Sequence, residues 1–193
     1  MRVLLIHAHP VEESFSAALK AEALRTLVAA GHSVEECDLY RLGFDPVLSR
    51  DERLAYHDLE TNRDPVESYV EQLLRAEAVV LVYPVWNFGF PAILKGYFDR
   101  VFLPGVSFRM KDGKVVPNLR HIRRLVAITT YGGSRFRAFL AGDPPRKLVS
   151  RVLRALIART GRASYLALYD MNRKDAAGRA AFLARVGDEL KRL

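Results

Sequence analysis

The chain has 193 residues, half of them apolar, a mean hydropathy near zero and a net charge of +8. That is enough for one compact α/β domain, read here as a single domain over 1–193, and no stretch approaches the roughly 18–20 continuous apolar residues of a membrane span. Cys37 is the only cysteine, which excludes an intrachain disulfide and a cysteine-cluster metal site and fits a reducing, cytoplasmic setting.

In chain order, residues 2–8 (RVLLIHA) read as an apolar strand of the kind buried on both faces of a parallel sheet. The run then meets His-Ala-His-Pro and two glutamates rather than a small-residue cleavage site, so it is a strand and not a signal peptide. Residues 16–30 put Leu19, Ala23, Leu27 and Ala30 on one helical face, and Gly31 ends the pattern. A short strand is predicted at 33–38. The segment 41–64 is a polar excursion with Pro46 and a helical stretch near 50–57. A helix follows at 66–76, a strongly apolar strand at 78–83, a turn at 84–91 and a helix at 92–102. A loop carrying Gly105 and Asp112-Gly113 leads to a strand at 124–130. An amphipathic basic helix at 146–160, a fifth strand at 163–169 and a closing helix at 175–192 complete the chain.

Strands and helices alternate, with no repeat, low-complexity tract or linker. This implies a parallel sheet covered by helices on both faces, joined by right-handed crossovers. Five strands favour the flavodoxin-like order 2-1-3-4-5, in which ligands bind at the carboxyl ends of strands 1, 3 and 4. Basic residues are interspersed with acids, with no basic tail and no nucleic-acid motif. The positive charge is better matched to an anionic cofactor phosphate than to nucleic acid.

The three strand ends are unusual. After strand 1, His7-Ala8-His9-Pro10 leads through Ser14, Phe15 and Ser16 into a helix, where free N–H groups and the helix dipole favour an anion. Ser14 and Ser16 can cap that helix, bond a phosphate, or both. The His7-x-His9 pair has no third or fourth ligand near it in sequence, which argues against a metal. After strand 3, Pro84-Val85-Trp86-Asn87-Phe88-Gly89-Phe90-Pro91 offers aromatic faces and backbone amides to a flat heterocycle, or else forms a small aromatic core beneath a loop. After strand 4, Thr129-Thr130-Tyr131-Gly132-Gly133-Ser134 allows close backbone approach and supplies hydroxyls, or is a plain glycine turn.

At these residues the sequence resembles the NAD(P)H:quinone oxidoreductase family of flavodoxin-like flavoproteins. HAHPVEESFSAAL is similar to the family's first loop and helix, CDLYRLGFDPVLS to its second strand and excursion, and ITTYGGS to its fourth loop. The most specific stretch is FGFPAILKGYFDRVF, Phe88 to Phe102. The likeness covers most of residues 1–135. It implies flavin contacts at His9, Phe15 and Ser16, at Pro84, Val85, Trp86, Asn87 and Phe88, and at Thr129, Thr130, Gly132 and Gly133. Animal members handle the reduced flavin's proton with a Tyr and a His after the Gly-Gly pair. Residues 132–146 contain neither, which leaves Tyr131 as the substitute candidate. Trp86-Asn87-Phe88 is closer to the flavin loop of FMN-dependent azoreductases, and the C-terminal extension of the animal enzymes is absent. Both point to FMN, with FAD as the alternative and NADH or NADPH as co-substrate. The resemblance further implies ping-pong reduction of a quinone-like aromatic acceptor by a homodimer. Reduction of azo or nitro compounds on the same flavin is an alternative. So is a non-catalytic role as ancillary subunit of a potassium efflux system. Arg135 or Arg137 is placed to meet a 2′-phosphate.

Overall fold

A computed structural model describes residues 1–193. Five strands form one parallel sheet: β1 (Arg2–His7), β2 (Ser33–Asp38), β3 (Ala78–Val85), β6 (Arg124–Tyr131) and β7 (Arg162–Leu168). Their order is β2-β1-β3-β6-β7, the flavodoxin-like arrangement expected from the sequence. The helices are α1 (Phe15–Ala29), α2 (Arg50–Ala55), α3 (Glu67–Arg75), α4 (Ala92–Val101), α5 (Arg135–Leu140) and α8 (Ala176–Leu190). The predicted basic helix is a helical run from α6 (Pro144–Lys147) through a π-helical stretch, Leu148–Leu153, into α7 (Arg154–Leu156). No helix is long and apolar enough to cross a membrane.

Period-two alternation along the central strands creates two separate cores. Leu4, Ile6, Val79, Leu81, Leu125 and Ala127 pack beneath α3, α4 and the 144–156 run, beside Val70, Leu73, Leu94, Tyr97 and Val149. Val3, Leu5, Val80, Val82, Val126 and Ile128 face the other way, against Leu19, Ala23 and Leu27 of α1 and Phe182, Val186 and Leu190 of α8. Cys37 is fully buried in the first core, and burial pushes its thiol up to about 12. It is an apolar filler, not a reactive group.

Two predicted segments differ. The loop expected around Gly105 and Asp112-Gly113 holds an antiparallel hairpin, β4 (Phe108–Lys111) with β5 (Lys114–Pro117). Asp112 and Gly113 both have positive φ, 51° and 71°, as a two-residue type I′ turn requires. Its strands are short and mostly exposed, so they lack the apolar alternation by which the other strands are recognised. The second difference is α5, six residues capped by Ser134, whose hydroxyl accepts from the Arg137 N–H.

The excursion after β2 is pinned to α4. A Cβ on Gly96 would lie 2.3 Å from the Pro46 carbonyl oxygen and 2.4 Å from its Cβ. Arg100, one turn further along, donates from Nε to Glu52 at 2.8 Å and from Nη1 to the Asp45 carbonyl. Gly96→Ala is therefore expected to lower stability by about 1–3 kcal/mol through overpacking. The check is the urea midpoint, and an unchanged midpoint would mean that residues 44–48 slide freely over α4.

Candidate functional site

Because strand side chains are consumed by the two cores, groups free for chemistry collect where β1, β3 and β6 end. At the first end, Ser14 caps α1: its hydroxyl accepts from the Ala17 N–H at 3.1 Å. Helix geometry leaves the Phe15 and Ser16 N–H groups without protein acceptors. Phe15 packs against the second core. Ser16 is buried, its Oγ 3.3 Å from His7 Nε2. His9 Nδ1 accepts from the Val11 N–H at 3.0 Å, and its ring lies 5.9 Å from that of Trp86, joining the first and third loops. His7 and His9 thus have separate surroundings, and no group of three or more His, Cys, Asp or Glu is arranged to hold a metal.

At the second end Pro84 is buried and Val85 half-buried as β3 finishes. Trp86 and Gly89 exchange backbone hydrogen bonds, Trp86 N to Gly89 O at 3.2 Å and Gly89 N to Trp86 O at 2.8 Å. The residues between them, Asn87 and Phe88, are both left-handed, with φ of 49° and 55°. For a bulky residue such as Phe88 this conformation costs about 1–3 kcal/mol, strain of the kind found at binding loops. It holds Trp86 and Phe88 in the open, 41% and 38% exposed. Phe90 does the opposite, meeting Tyr83 edge-on at 5.0 Å and Phe98 at 5.4 Å. The loop therefore divides its aromatics: one anchors, two are presented. The Asn87 and Phe88 N–H groups have no protein acceptor.

At the third end, Gly132 and Gly133 also keep free N–H groups. A Cβ on Gly133 would sit 3.9 Å from Phe88 Cζ, so the third and fourth loops are in contact range. The threonines correct an expectation. Thr129 is fully buried, with a hydroxyl that has no partner, and Thr130 is buried beside it. Their positions inside β6 turn these side chains into the sheet packing instead of leaving both hydroxyls along an open edge. Tyr131 corrects another. Its phenol, in a residue only 2% exposed, donates to Asp143 Oδ1 at 2.6 Å and lies 2.6 Å from the Tyr165 hydroxyl. Burial, then the bond to Asp143, raises its pKa far above the ordinary phenol value. It is a structural anchor and a poor proton donor.

The groups around Tyr131 were not visible in sequence. Asp143 sits at φ 45° immediately before two prolines. It also accepts from Arg146 Nε at 2.9 Å and from the Tyr169 hydroxyl at 3.4 Å. The Arg146 guanidinium lies over the Tyr165 ring at 4.5 Å. This knot ties the fourth loop to the segment after α5, and beside it opens a cleft of about 350 Å³ lined by Arg135, Phe139, Arg146, Lys147 and Tyr169. A larger cleft, about 560 Å³, lies beside the first loop and is lined by His9, Lys20, Asp38, Tyr40 and Arg41 among others.

Residues brought together at the rim therefore include Trp86 and Phe88 as open rings. Six unpaired N–H donors accompany them, at Phe15, Ser16, Asn87, Phe88, Gly132 and Gly133. Unsatisfied donors around exposed aromatic faces suit a planar, polar-edged group with an anionic tail, which is the chemistry of a flavin nucleotide.

Known proteins share this fold. A family model described as flavodoxin-like fold matches residues 1–189. The chain is 33% identical to NAD(P)H dehydrogenase (quinone) 1 of Rattus norvegicus over 149 residues, 69% of this chain and 54% of that protein. It spans only 54–60% of the length of the curated relatives it matches most strongly. Among solved structures, the NAD(P)H:quinone oxidoreductase from Methanothermobacter marburgensis superposes with a TM-score of 0.83 at 26% identity, covering 99% of this chain and 98% of that one. An FMN-dependent NADH-azoreductase from Bacillus anthracis, in complex with FMN, gives 0.79 at 18% identity over 99% and 98%, a likeness of fold.

Removing the acceptor at the centre of the knot should loosen the fourth loop. Asp143→Ala is expected to cost about 1–3 kcal/mol by removing the acceptor that Tyr131, Tyr169 and Arg146 share. Asp143→Asn, which keeps an acceptor for Tyr131, should recover part of that in chemical denaturation. Equal midpoints for Asp143→Ala and the unaltered protein would show that the knot does not hold the loop.

Proposed function

The chain belongs to the flavodoxin-like fold family, and from that premise we propose that it is a flavin-dependent NAD(P)H oxidoreductase that reduces quinone-like aromatic acceptors. The observation that carries this reading is the convergence of six unpaired backbone donors and two open aromatic rings on three adjacent strand ends. FMN fits this rim best, with FAD as the alternative: the free N–H groups of Phe15 and Ser16 suit one phosphate at the start of α1. When bound, the flavin supplies the hydride chemistry, and the chain's work is to bind and orient it. Trp86 and Phe88 would flank the ring, while the Asn87 and Phe88 amides meet its polar edge. The Gly132 and Gly133 amides are assigned to the edge that gains charge on reduction, as oxyanion-type donors. With the Tyr131 phenol held by Asp143, the proton of the reduced state is left to solvent.

Arg135 and Arg137 are exposed and take part in no ion pair, so they add to the field that draws in an anionic dinucleotide. Donor and acceptor using one open face in turn gives ping-pong kinetics. The test is the visible spectrum of the purified protein with added FMN. Flavin bands should bleach with anaerobic NADPH or NADH and recover on adding a quinone, with parallel double-reciprocal plots in steady state. A protein that binds no flavin overturns the proposal, and intersecting plots overturn the ping-pong order.

We further assign the working state as a homodimer. Phe136, Phe139 and Leu140 of α5 are large apolar side chains left exposed beside the fourth loop, area that a second copy would cover. Light scattering should give twice the chain mass at micromolar concentration. Phe139→Glu should shift the protein toward monomer, and a wild-type monomer at that concentration would refute the assignment.

A further inference from the structure

His7 is a buried titratable group for which the flavin-binding role above has no use. It ends β1 at 2% exposure, with both ring nitrogens engaged. Nδ1 lies 3.0 Å from Asp38 Oδ2 at the end of β2, and Nε2 lies 3.3 Å from Ser16 Oγ in the first turn of α1. Asp38 also accepts from Lys20 Nζ at 2.9 Å and from the Arg41 N–H at 3.2 Å. Burial works against its charge, but the bonds from Lys20, then His7, then the Arg41 N–H hold its pKa below the usual carboxylate value. Asp38 is therefore ionised. Burial, set against the pull of Asp38, lowers the His7 pKa and keeps the ring neutral.

These facts fix the direction of each hydrogen bond. An ionised Asp38 can only accept, so the single proton of neutral His7 is on Nδ1. Nε2 then carries a lone pair, and the Ser16 O–H must point inward to it. Ser16 thus turns a lone pair outward, beside its own free N–H and that of Phe15, where the proposed phosphate would sit. A phosphate dianion has only acceptors to offer, so a Ser16 oxygen in this state faces it without a donor.

We propose that His7 is a positioning residue that acts through Ser16: on binding of a phosphate, His7 takes up one proton from solvent at Nε2, donates it to Ser16 Oγ, and so frees the Ser16 O–H to donate to the phosphate. This rests on the flavin reading above, and it adds a proton linkage which that reading does not contain. No covalent bond between heavy atoms changes; one proton is gained from water and one hydroxyl rotates. The new imidazolium lies between the Asp38 carboxylate and the incoming anion, which together offset its burial. The other charged or titratable groups facing it are Lys20 of α1, with Glu36 of β2 at 4.0 Å from that ammonium, and His9 of the first loop; β3 places apolar Val82 alongside. A purely structural network would tolerate any hydrogen-bonding side chain at position 7 and would show no pH signature.

The sign follows from linkage. The pKa of His7 is low in the free protein and raised in the complex, so phosphate affinity is strongest at low pH and falls as pH rises between the two values. One proton taken up corresponds to about tenfold per pH unit at the steepest point. Ionisation of the FMN phosphate itself, near pH 6, acts on every variant alike.

The experiment uses flavin-free, full-length protein titrated with FMN and with riboflavin, which lacks the phosphate, from about pH 5.5 to 8.5. In the wild type, the ratio of FMN to riboflavin affinity should fall with pH more steeply than in His7→Gln, which can hydrogen-bond but not titrate. The difference should approach tenfold per unit, and Ser16→Ala should abolish it while leaving His7 and Asp38 in place. Superimposable slopes for wild type and His7→Gln would overturn the proposal. Inorganic phosphate with NMR of the His7 ring gives a test independent of flavin: the His7 pKa should rise on adding phosphate, and an unmoved pKa refutes the relay. Failure to bind flavin while phosphate still raises the His7 pKa would sink the flavin reading alone.

Discussion

The rest of the molecule depends on the burial of the central sheet on both of its faces. β1, β3 and β6 send alternate side chains into two cores, so apart from their last positions these strands have nothing to spare for chemistry. Backbone groups just beyond the carboxyl ends of these three neighbouring strands escape ladder hydrogen bonding. Free donors at residues 15–16 come from the start of α1, those at 87–88 from the Trp86–Gly89 turn and those at 132–133 from the glycine pair, all available to whatever ligand has matching acceptors.

Each of the three ends is braced differently. The Trp86–Gly89 turn accepts left-handed backbone at Asn87 and Phe88, and two reciprocal hydrogen bonds keep it there. The fourth loop is braced from behind by Asp143, which gathers Tyr131, Tyr169 and Arg146. The first is braced from below by His7, Asp38 and Lys20. In each case the exposed surface is short and is held by hydrogen bonds, between backbone groups in the Trp86–Gly89 turn and between side chains at the other two ends. Preorganisation of this kind reduces the entropy lost when a flat ligand is held.

Sequence periodicity was enough to read the five-stranded order, because runs such as AVVLVY and RLVAITT admit few other uses. The β4–β5 hairpin escaped because its strands are exposed and only Asp112-Gly113 marks it. The helix α5 is six residues long and exposes Phe136, Phe139 and Leu140, so no apolar stripe points at a core. At the site, the glycines and aromatics were legible because their residue types are rare in simple turns. The orientation of side chains was not: nothing local in ITTYGGS says that Tyr131 turns toward an aspartate twelve residues later, or that Thr129 is sealed in the sheet. His7 was noticed as half of a His-x-His pair, yet its partners come from β2 and α1, and only the folded register brings Asp38 beside it.

The burial of Cys37 has a practical corollary for labelling. With its one thiol sealed under the sheet and a pKa near 12, the native protein presents no reactive thiol to maleimides. A cysteine introduced at any exposed position would be the sole reactive thiol in the folded chain. Dyes, electrodes or spin probes could then be attached at a chosen point without first deleting a native residue.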